Sequence, residues 1–348
     1  MNRIAAVIAS LSLAFVGTSA TIADTINVPG DQPTIAAAIS ASVNGDVINI
    51  DAGIYNEHSL NPNGKAITIR SASGNLDVTI DANGGGSVFV IDSGETSGTV
   101  IKDLIITGGS NNFGGGGGGI SMRISSPTIS GCTISGNEAV GIGTGGGIHC
   151  TDGSSPTITN CMIIDNSAYR GGGIYCNLHS HAVISGCTIS GNEASDGGGI
   201  CFASYSNSTI SNCEISNNYA SYGGGIYCVY QSSPTITNCM IIDNSAYEGG
   251  GIRCYDNSNA TIGDSEVCGN TPDQIDGSYN DAGGNTVDDE CHGESCADLN
   301  NSGVTDIEDL LLLIGYWGTS DGDCDADGDT DIEDLLYLIG SWGNSCTP

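Results

Sequence analysis

Short runs in which apolar and polar residues alternate recur through most of the chain, and each run stops at glycine or asparagine. In Cys132-Thr133-Ile134 the first and third side chains face one way and the second the other, and Ile148 and Cys150 flank His149 in the same manner. Alternation of period two over so few residues marks a short strand with one buried face. The runs are also in phase. A Gly-Gly-Gly-Ile unit begins at Gly145, Gly171, Gly197, Gly223 and Gly249, in steps of 26 residues. Asn166, Asn192, Asn218, Asn244 and Asn270 keep the same step, with Asn137 one 29-residue unit earlier. A strand-and-turn unit of this length cannot bury its own apolar face, so the repeat predicts a parallel solenoid whose coils stack ~4.8 Å apart and cover one another. Stacking aligns Cys132, Cys161, Cys187, Cys213 and Cys239 in one inward column and Cys150, Cys176, Cys228 and Cys254 in another, with Phe202 filling the gap.

The pattern differs at both ends. Pro33 to Val43, rich in Ala and Ile, predicts a short helix over the open end of the stack, and Val47 to Ile50 predicts the first strand. Strands follow in KAITIRS, VTIDAN, SVFVID and TVIKDLIIT. Near the other end, leucines at helical spacing predict helices over Leu310 to Trp317 and Leu335 to Trp342, closed by Gly318 and Gly343. The first residues have a basic start at Arg3, an apolar run from Ile4 to Val16, and small residues before a cut after Ala23 or Ala20. That is the form of a secretory signal peptide, too short to span a bilayer, and it predicts a secreted, extracellular or cell-surface protein.

Charge and cysteine content narrow the partners. The chain has 348 residues with 40 acids against 7 Lys and Arg, a formal charge of −33. That balance argues against nucleic acid and an anionic membrane surface, and membrane insertion is not expected because no segment after the first approaches ~18 apolar residues. Thiols evenly spaced on inward strand positions are expected to be small buried apolar groups, although the strand spacing also permits bridges. The total of 15 cysteines is odd. Cys291, Cys296, Cys324 and Cys346 are the disulfide candidates, in any of three pairings.

The most specific chemistry lies beyond the solenoid. A 25-residue unit occurs twice, from Asp298 and from Asp323, and twelve acids and no Lys or Arg fall between Asp298 and Asp334. Two twelve-residue loops emerge, with glycine at the sixth position as Gly303 and Gly328. Their ligand positions are Asp298, Asn300, Ser302, Val304, Asp306 and Asp309, then Asp323, Asp325, Asp327, Asp329, Asp331 and Asp334. Oxygen donors converging at this spacing around a glycine turn predict two Ca2+ sites, Ser302 making the first the weaker. The pair resembles a type I dockerin, an EF-hand-like module, and the resemblance implies a cohesin-like protein partner. Ile307-Glu308 and Ile332-Glu333 stand where that family usually carries small hydroxyl residues, so the resemblance transfers calcium better than the partner.

Two further resemblances concern the solenoid. The helix and Gly53-Ile54-Tyr55-Asn56-Glu57 resemble the N-terminal cap and GxYxE turn of pectin-lyase-like, right-handed parallel β-helices. Asn166-Ser-Ala168 with Gly171-Gly-Gly-Ile174, and the equivalent segments from Asn244, resemble the repeats of polymorphic membrane proteins, which implies a surface β-helix. The expected architecture is an all-β right-handed parallel β-helix with an N-terminal helical cap, plus a small α-helical dockerin-like calcium domain. Its expected parts are a signal peptide (1–23), the β-helix (24–288), a linker (289–295) and the calcium module (296–348).

Nine of the thirteen tyrosines lie between residues 169 and 255. The column expected to face outward from the GGGI strand runs His149, Tyr175, Cys201, Tyr227 and Arg253, with Tyr169, Tyr222 and Tyr247 on nearby turns. Rings spaced along a rigid face suit sugars, so Tyr169, Tyr175, Tyr222, Tyr227, Tyr247 and Arg253 are the candidate ligand-binding residues for a polysaccharide or cell-surface ligand. The alternative is a polysaccharide-degrading hydrolase or lyase. For it, Asp165 and Asp243 stand three coils apart, ~14 Å. Glu138 and Glu193 stand two coils apart, ~10 Å, against the ~5 to 9.5 Å a glycosidase pair needs. Arg170 is the candidate lyase base, though an ion pair with Asp196 is the simpler expectation, and His149 is expected at the surface.

Overall fold

The computed structural model describes residues 23–111, 116–289, 291, 307–317 and 335. One coil shows how the chain runs. Thr157–Thr159 lies in a first sheet, Met162–Ile164 in a second, Ser167–Arg170 in a short third and Ile174–Cys176 in a fourth. Successive coils repeat this path, giving parallel sheets of 11, 10, 4 and 8 strands in that order. The register places like on like. Ile129, Ile158, Ile184, Ile210, Ile236 and Ile262 stack in the first sheet. Ile134, Ile163, Ile189, Ile215 and Ile241 stack in the second, and Ile148, Ile174, Ile200, Ile226 and Ile252 in the fourth. All are fully buried in one continuous core. A β-branched side chain suits this position because its stiff rotamer packs against the identical group one coil away.

The helix forms at Ile35–Ala41 and places Ile35, Ala38 and Ile39 in the same core. Its N-terminus is held twice over. Thr34 Oγ1 accepts from Ala37 N at 3.1 Å, and the Glu57 carboxylate accepts from Ile35 N and Ala36 N at 2.8 and 2.9 Å. The glutamate of the GxYxE turn therefore satisfies free helix N–H groups across 22 residues of sequence. At the other end Lys65 Nζ donates to Ile39 O at 2.6 Å, a cation at the negative end of the helix. One strand precedes those expected from the sequence. Thr25–Val28 pairs with Val47–Ile50, so Val47 begins the second strand of the first sheet.

Two side-chain ladders run through the interior. Each Asn Oδ1 accepts from both the backbone N and the Nδ2 of the asparagine one coil before, as in Asn166 N and Nδ2 to Asn192 Oδ1, both at 3.0 Å. The ladder passes from Asn137 through Asn270 to Gln274 Oε1. The ladder asparagines are not themselves left-handed; that conformation falls on Asn160, Asp165, Asn212, Asn217, Asn238 and Asp243. The inward thiols form the other ladder, Cys161 N donating to Cys187 Sγ at 3.5 Å and Cys187 N to Cys213 Sγ at 3.4 Å. Among the described residues ten buried cysteines are free thiols, while Cys291 is bonded to Cys268, a partner outside the four expected candidates.

The glycines explain the third sheet. A Cβ on Gly172 would stand 2.6 Å from Glu193 O and 2.5 Å from Gly198 O, both in the next coil. One on Gly198 would stand 2.5 Å from Tyr219 O. After each ladder asparagine the chain steps outward, folds back, and lies flat on a ribbon that has no side chains to hold it off. The buried Ala139, Ala194 and Ala220 lie on the inner side of the same segment.

Past the solenoid a helix spans Ile307–Tyr316, three residues earlier than leucine spacing predicts, and Asp309 in its first turn is fully buried. The eleven other expected calcium positions, the expected signal peptide through residue 22, Cys296, Cys324 and Cys346 lie outside the described residues, as does the second predicted helix except Leu335.

Candidate functional site

Because the third sheet is laid over glycine, its outward residues form a surface of their own. Glu138, Ser167, Glu193 and Tyr219 stand in register in one outward column. Tyr169, Ser195 and Ser221 follow two residues further along each coil. Together they line an open groove of about 470 Å³ running across the coils. Tyr169 and Tyr219 are 42 % and 58 % exposed, so their rings are available to a ligand. A second depression of about 490 Å³ lies near Asn212, Glu214, Asn238 and Glu266 and has no aromatic ring in its lining.

The expected tyrosine column divides in two. Tyr169, Tyr222 and Tyr247 are exposed, as a ligand face requires. Tyr175 and Tyr227 are not: they are 4 % and 8 % exposed and pack with Cys201, Ala203 and Val229 in a second apolar cluster. The outer face of the GGGI strands is closed over by residues flanking the glycines, so what alternation marks as outward is a second interior. Arg170 Nε donates to Asp196 Oδ2 at 2.8 Å beside this cluster. The Arg253 guanidinium lies 4.7 Å from the Tyr222 ring centre and is ion-paired to Glu248 and Asp276, which makes it a packing residue and not an open ligand contact. Burial raises the hydroxyl pKa of both Tyr175 and Tyr227.

The expected surface position of His149 is likewise corrected. The ring is 4 % exposed and stacked on Tyr175 with centres 5.5 Å apart, and Nδ1 has no hydrogen-bond partner among the described residues. Burial holds its pKa down at about 4, with Asp152 pulling weakly the other way.

Three catalytic candidates have structural roles. Burial works against the charge of Arg170, but Asp196 and Tyr175 outweigh it and hold the proton more tightly than usual, the opposite of what a lyase base requires. Asp165 and Asp243 are left-handed turn residues, each with φ of 54°. Their carboxylates lie against Gly191 and Gly269 of the following coil, where a Cβ would meet Oδ1 at 2.6 Å. Glu138 and Glu193 do share a groove, with Tyr169 and Tyr219. Sequence spacing alone set that pair aside and missed Tyr219, because a groove is a property of surface shape.

Comparison with known proteins agrees with this architecture. The family model for the right-handed β-helix region matches residues 51–194 and 147–290. The chain belongs to the right-handed β-helix family. Among solved structures, the pectate lyase Pel9A is 14 % identical, with 81 % of this chain and 85 % of that chain covered and a TM-score of 0.51. The pectin methylesterase PemA from Erwinia chrysanthemi is 13 % identical over 74 % of this chain and 80 % of its own, with a TM-score of 0.32. A mannuronic acid specific polysaccharide family 6 lyase from human gut microbiota is 11 % identical over 92 % and 99 %, with a TM-score of 0.30. At 14 % identity the likeness to Pel9A is one of fold. A search of the curated proteins finds no match. No described helix is long and apolar enough to cross a membrane.

Proposed function

We propose that this is a secreted β-helix protein that binds an extended polysaccharide, free or on a cell surface, in the groove of the third sheet. The observation that carries this reading is a groove crossing several coils with the exposed rings of Tyr169 and Tyr219 in its lining. A rigid stack of coils fixes those rings before any ligand arrives, so little ordering opposes binding. The shared fold with a pectate lyase is consistent with a polysaccharide ligand. Replacing Tyr169 and Tyr219 together by alanine is expected to weaken binding to a retained glycan by about tenfold or more, since buried aromatic contacts each exceed ~1 kcal/mol. The check is affinity electrophoresis across neutral and charged glycans, with Tyr205→Ala as the control and melting temperature as the test of folding. Equal retention of the double variant and the parent would sink the groove. Hydrolysis is the second reading, because Glu138 and Glu193 line the same groove; new reducing ends in the same incubations would favour it.

The helix Ile35–Ala41 serves in this reading as the cap of the solenoid. Residues 296–348 form the dockerin-like calcium module, with a cohesin-like protein as its partner. Support for the first of the two Ca2+ sites comes from Asp309, the twelfth position of its loop. Its carboxylate is fully buried in the first turn of a helix, where a ligand to a hard cation belongs. When bound, calcium supplies the charge that lets the clustered carboxylates approach one another. Chelation of the full-length protein is expected to remove helical circular dichroism that excess calcium restores. A helical signal indifferent to both would count against the module.

A further inference from the structure

The groove carries charge as well as rings. Glu138 and Glu193 stand in one outward column with Ser167 between them, both exposed and neither ion-paired among the described residues. Each cation of the repeat region is engaged elsewhere: Arg123 with Asp152, Arg170 with Asp196, and Arg253 with Glu248 and Asp276. No cation lines the groove itself; Arg170, whose guanidinium lies 5.8 Å from the Tyr169 ring centre, is held by Asp196, so the groove stays negative on a chain of net charge −33. Such a field opposes uronic-acid polymers and favours cationic ones.

Resting on the groove reading above, we propose that its ligand is a cationic, β-1,4-linked amino-sugar polymer, a glucosamine chain lying along the solenoid axis. Geometry selects this class. Neighbouring coils stand ~4.8 Å apart, so the two glutamates stand ~9.6 Å apart along the axis. A pyranose in an extended β-1,4 chain advances by nearly one such spacing. Alternate rings are turned over, so amines recur on one side at every second residue, a repeat close to two coils. Two amines of one side meet Glu138 and Glu193, while Ser167 faces the intervening, inverted ring. Tyr169 and Tyr219 supply the stacking surfaces. Each exposed ion pair contributes little alone, but a polymer engages both at once and the second contact is intramolecular.

The test compares four hexamers by calorimetry at mildly acid pH: glucosamine, N-acetylglucosamine, glucose and galacturonate. The glucosamine hexamer is expected to bind at least about fivefold more tightly than the acetylated one at low salt, the preference shrinking as salt screens the pairs. In the Glu138→Gln, Glu193→Gln variant the ratio is expected to fall close to unity. Equal binding of the two hexamers by the parent overturns the proposal. So does a preference that survives the double substitution, because attraction to the overall charge then suffices. In both cases the groove reading stands if Tyr169→Ala with Tyr219→Ala still weakens binding by about tenfold or more. If no hexamer binds, both readings fall.

Discussion

Replacing Asn192 by alanine is expected to destabilise the solenoid by about 4 kcal/mol, lowering the midpoint of urea unfolding with little change in slope. Its side chain makes four hydrogen bonds in a site 1 % exposed. Oδ1 accepts from Asn166 N and Nδ2, and Nδ2 donates to Ile163 O at 2.8 Å and to Asn218 Oδ1 at 3.0 Å. Alanine leaves the Asn166 amide and the Ile163 carbonyl short of partners where water does not reach, and each buried polar group so stranded costs roughly 1–3 kcal/mol. The loss should not stay local, because a coil contacts only its neighbours and transmits order through them. Asn217 is the comparison. It is exposed with φ of 54°, so Asn217→Ala loses only tolerance of the left-handed conformation, about 1 kcal/mol. Equal losses at the two positions would refute the ladder as a source of stability.

Acidification from pH 7 to pH 5 is expected to lower stability by about 2 kcal/mol through His149 alone. The folded pKa is held at about 4 by burial, against the ordinary imidazole value of 6.5. Between those values the unfolded chain binds the extra proton, so stability falls as pH falls. The contribution saturates at about 3 kcal/mol below pH 4. Carboxylates act in a different window. Backbone N–H groups of Val43 and Asp24 hold Asp46 below its ordinary range, and Ser71 and Ser73 do the same for Asp77, so their contribution is present above the unfolded value near 3.8 and lost below it. His149→Phe keeps a ring against Tyr175 and removes the titration. Thermal melts of that variant should be flatter than those of the parent across pH 5 to 7, and parallel curves would rule out the assignment.

The solenoid was legible because its evidence is periodic. A 26-residue step fixes which residues stack, and alternation along Cys132-Thr133-Ile134 or Ile148-His149-Cys150 fixes which enter the core. What alternation does not reveal is a second layer. Tyr175, Tyr227 and His149 do point away from the core, as the sequence predicts, yet residues flanking the glycines bury them. The local sign was Cys201 in the same column: a thiol flanked in register by two tyrosines suits an interior better than a binding face. Three successive glycines were the other sign, since a ribbon without side chains is a place where backbone can lie on backbone. Long-range partners stayed hidden for a simpler reason. Nothing in the local pattern at Glu57 announces a helix N-terminus 22 residues away, or at Cys291 a bond to Cys268.

The Arg170 and Arg253 ion pairs show a coupled difference between two copies of one coil. Residues 154–176 and 232–254 are the same 23-residue stretch, three coils apart, except at two positions. Arg170 is matched by Glu248, and Tyr175 by Arg253. Both differences fall within one contact. In the earlier copy the arginine lies beside Tyr175 and binds Asp196; in the later one Glu248 binds the arginine that replaces that tyrosine. Moving glutamate alone into the earlier copy would set two carboxylates together at position 170 and Asp196. The two differences therefore act as one, since either exchange made alone would break the contact that the pair preserves.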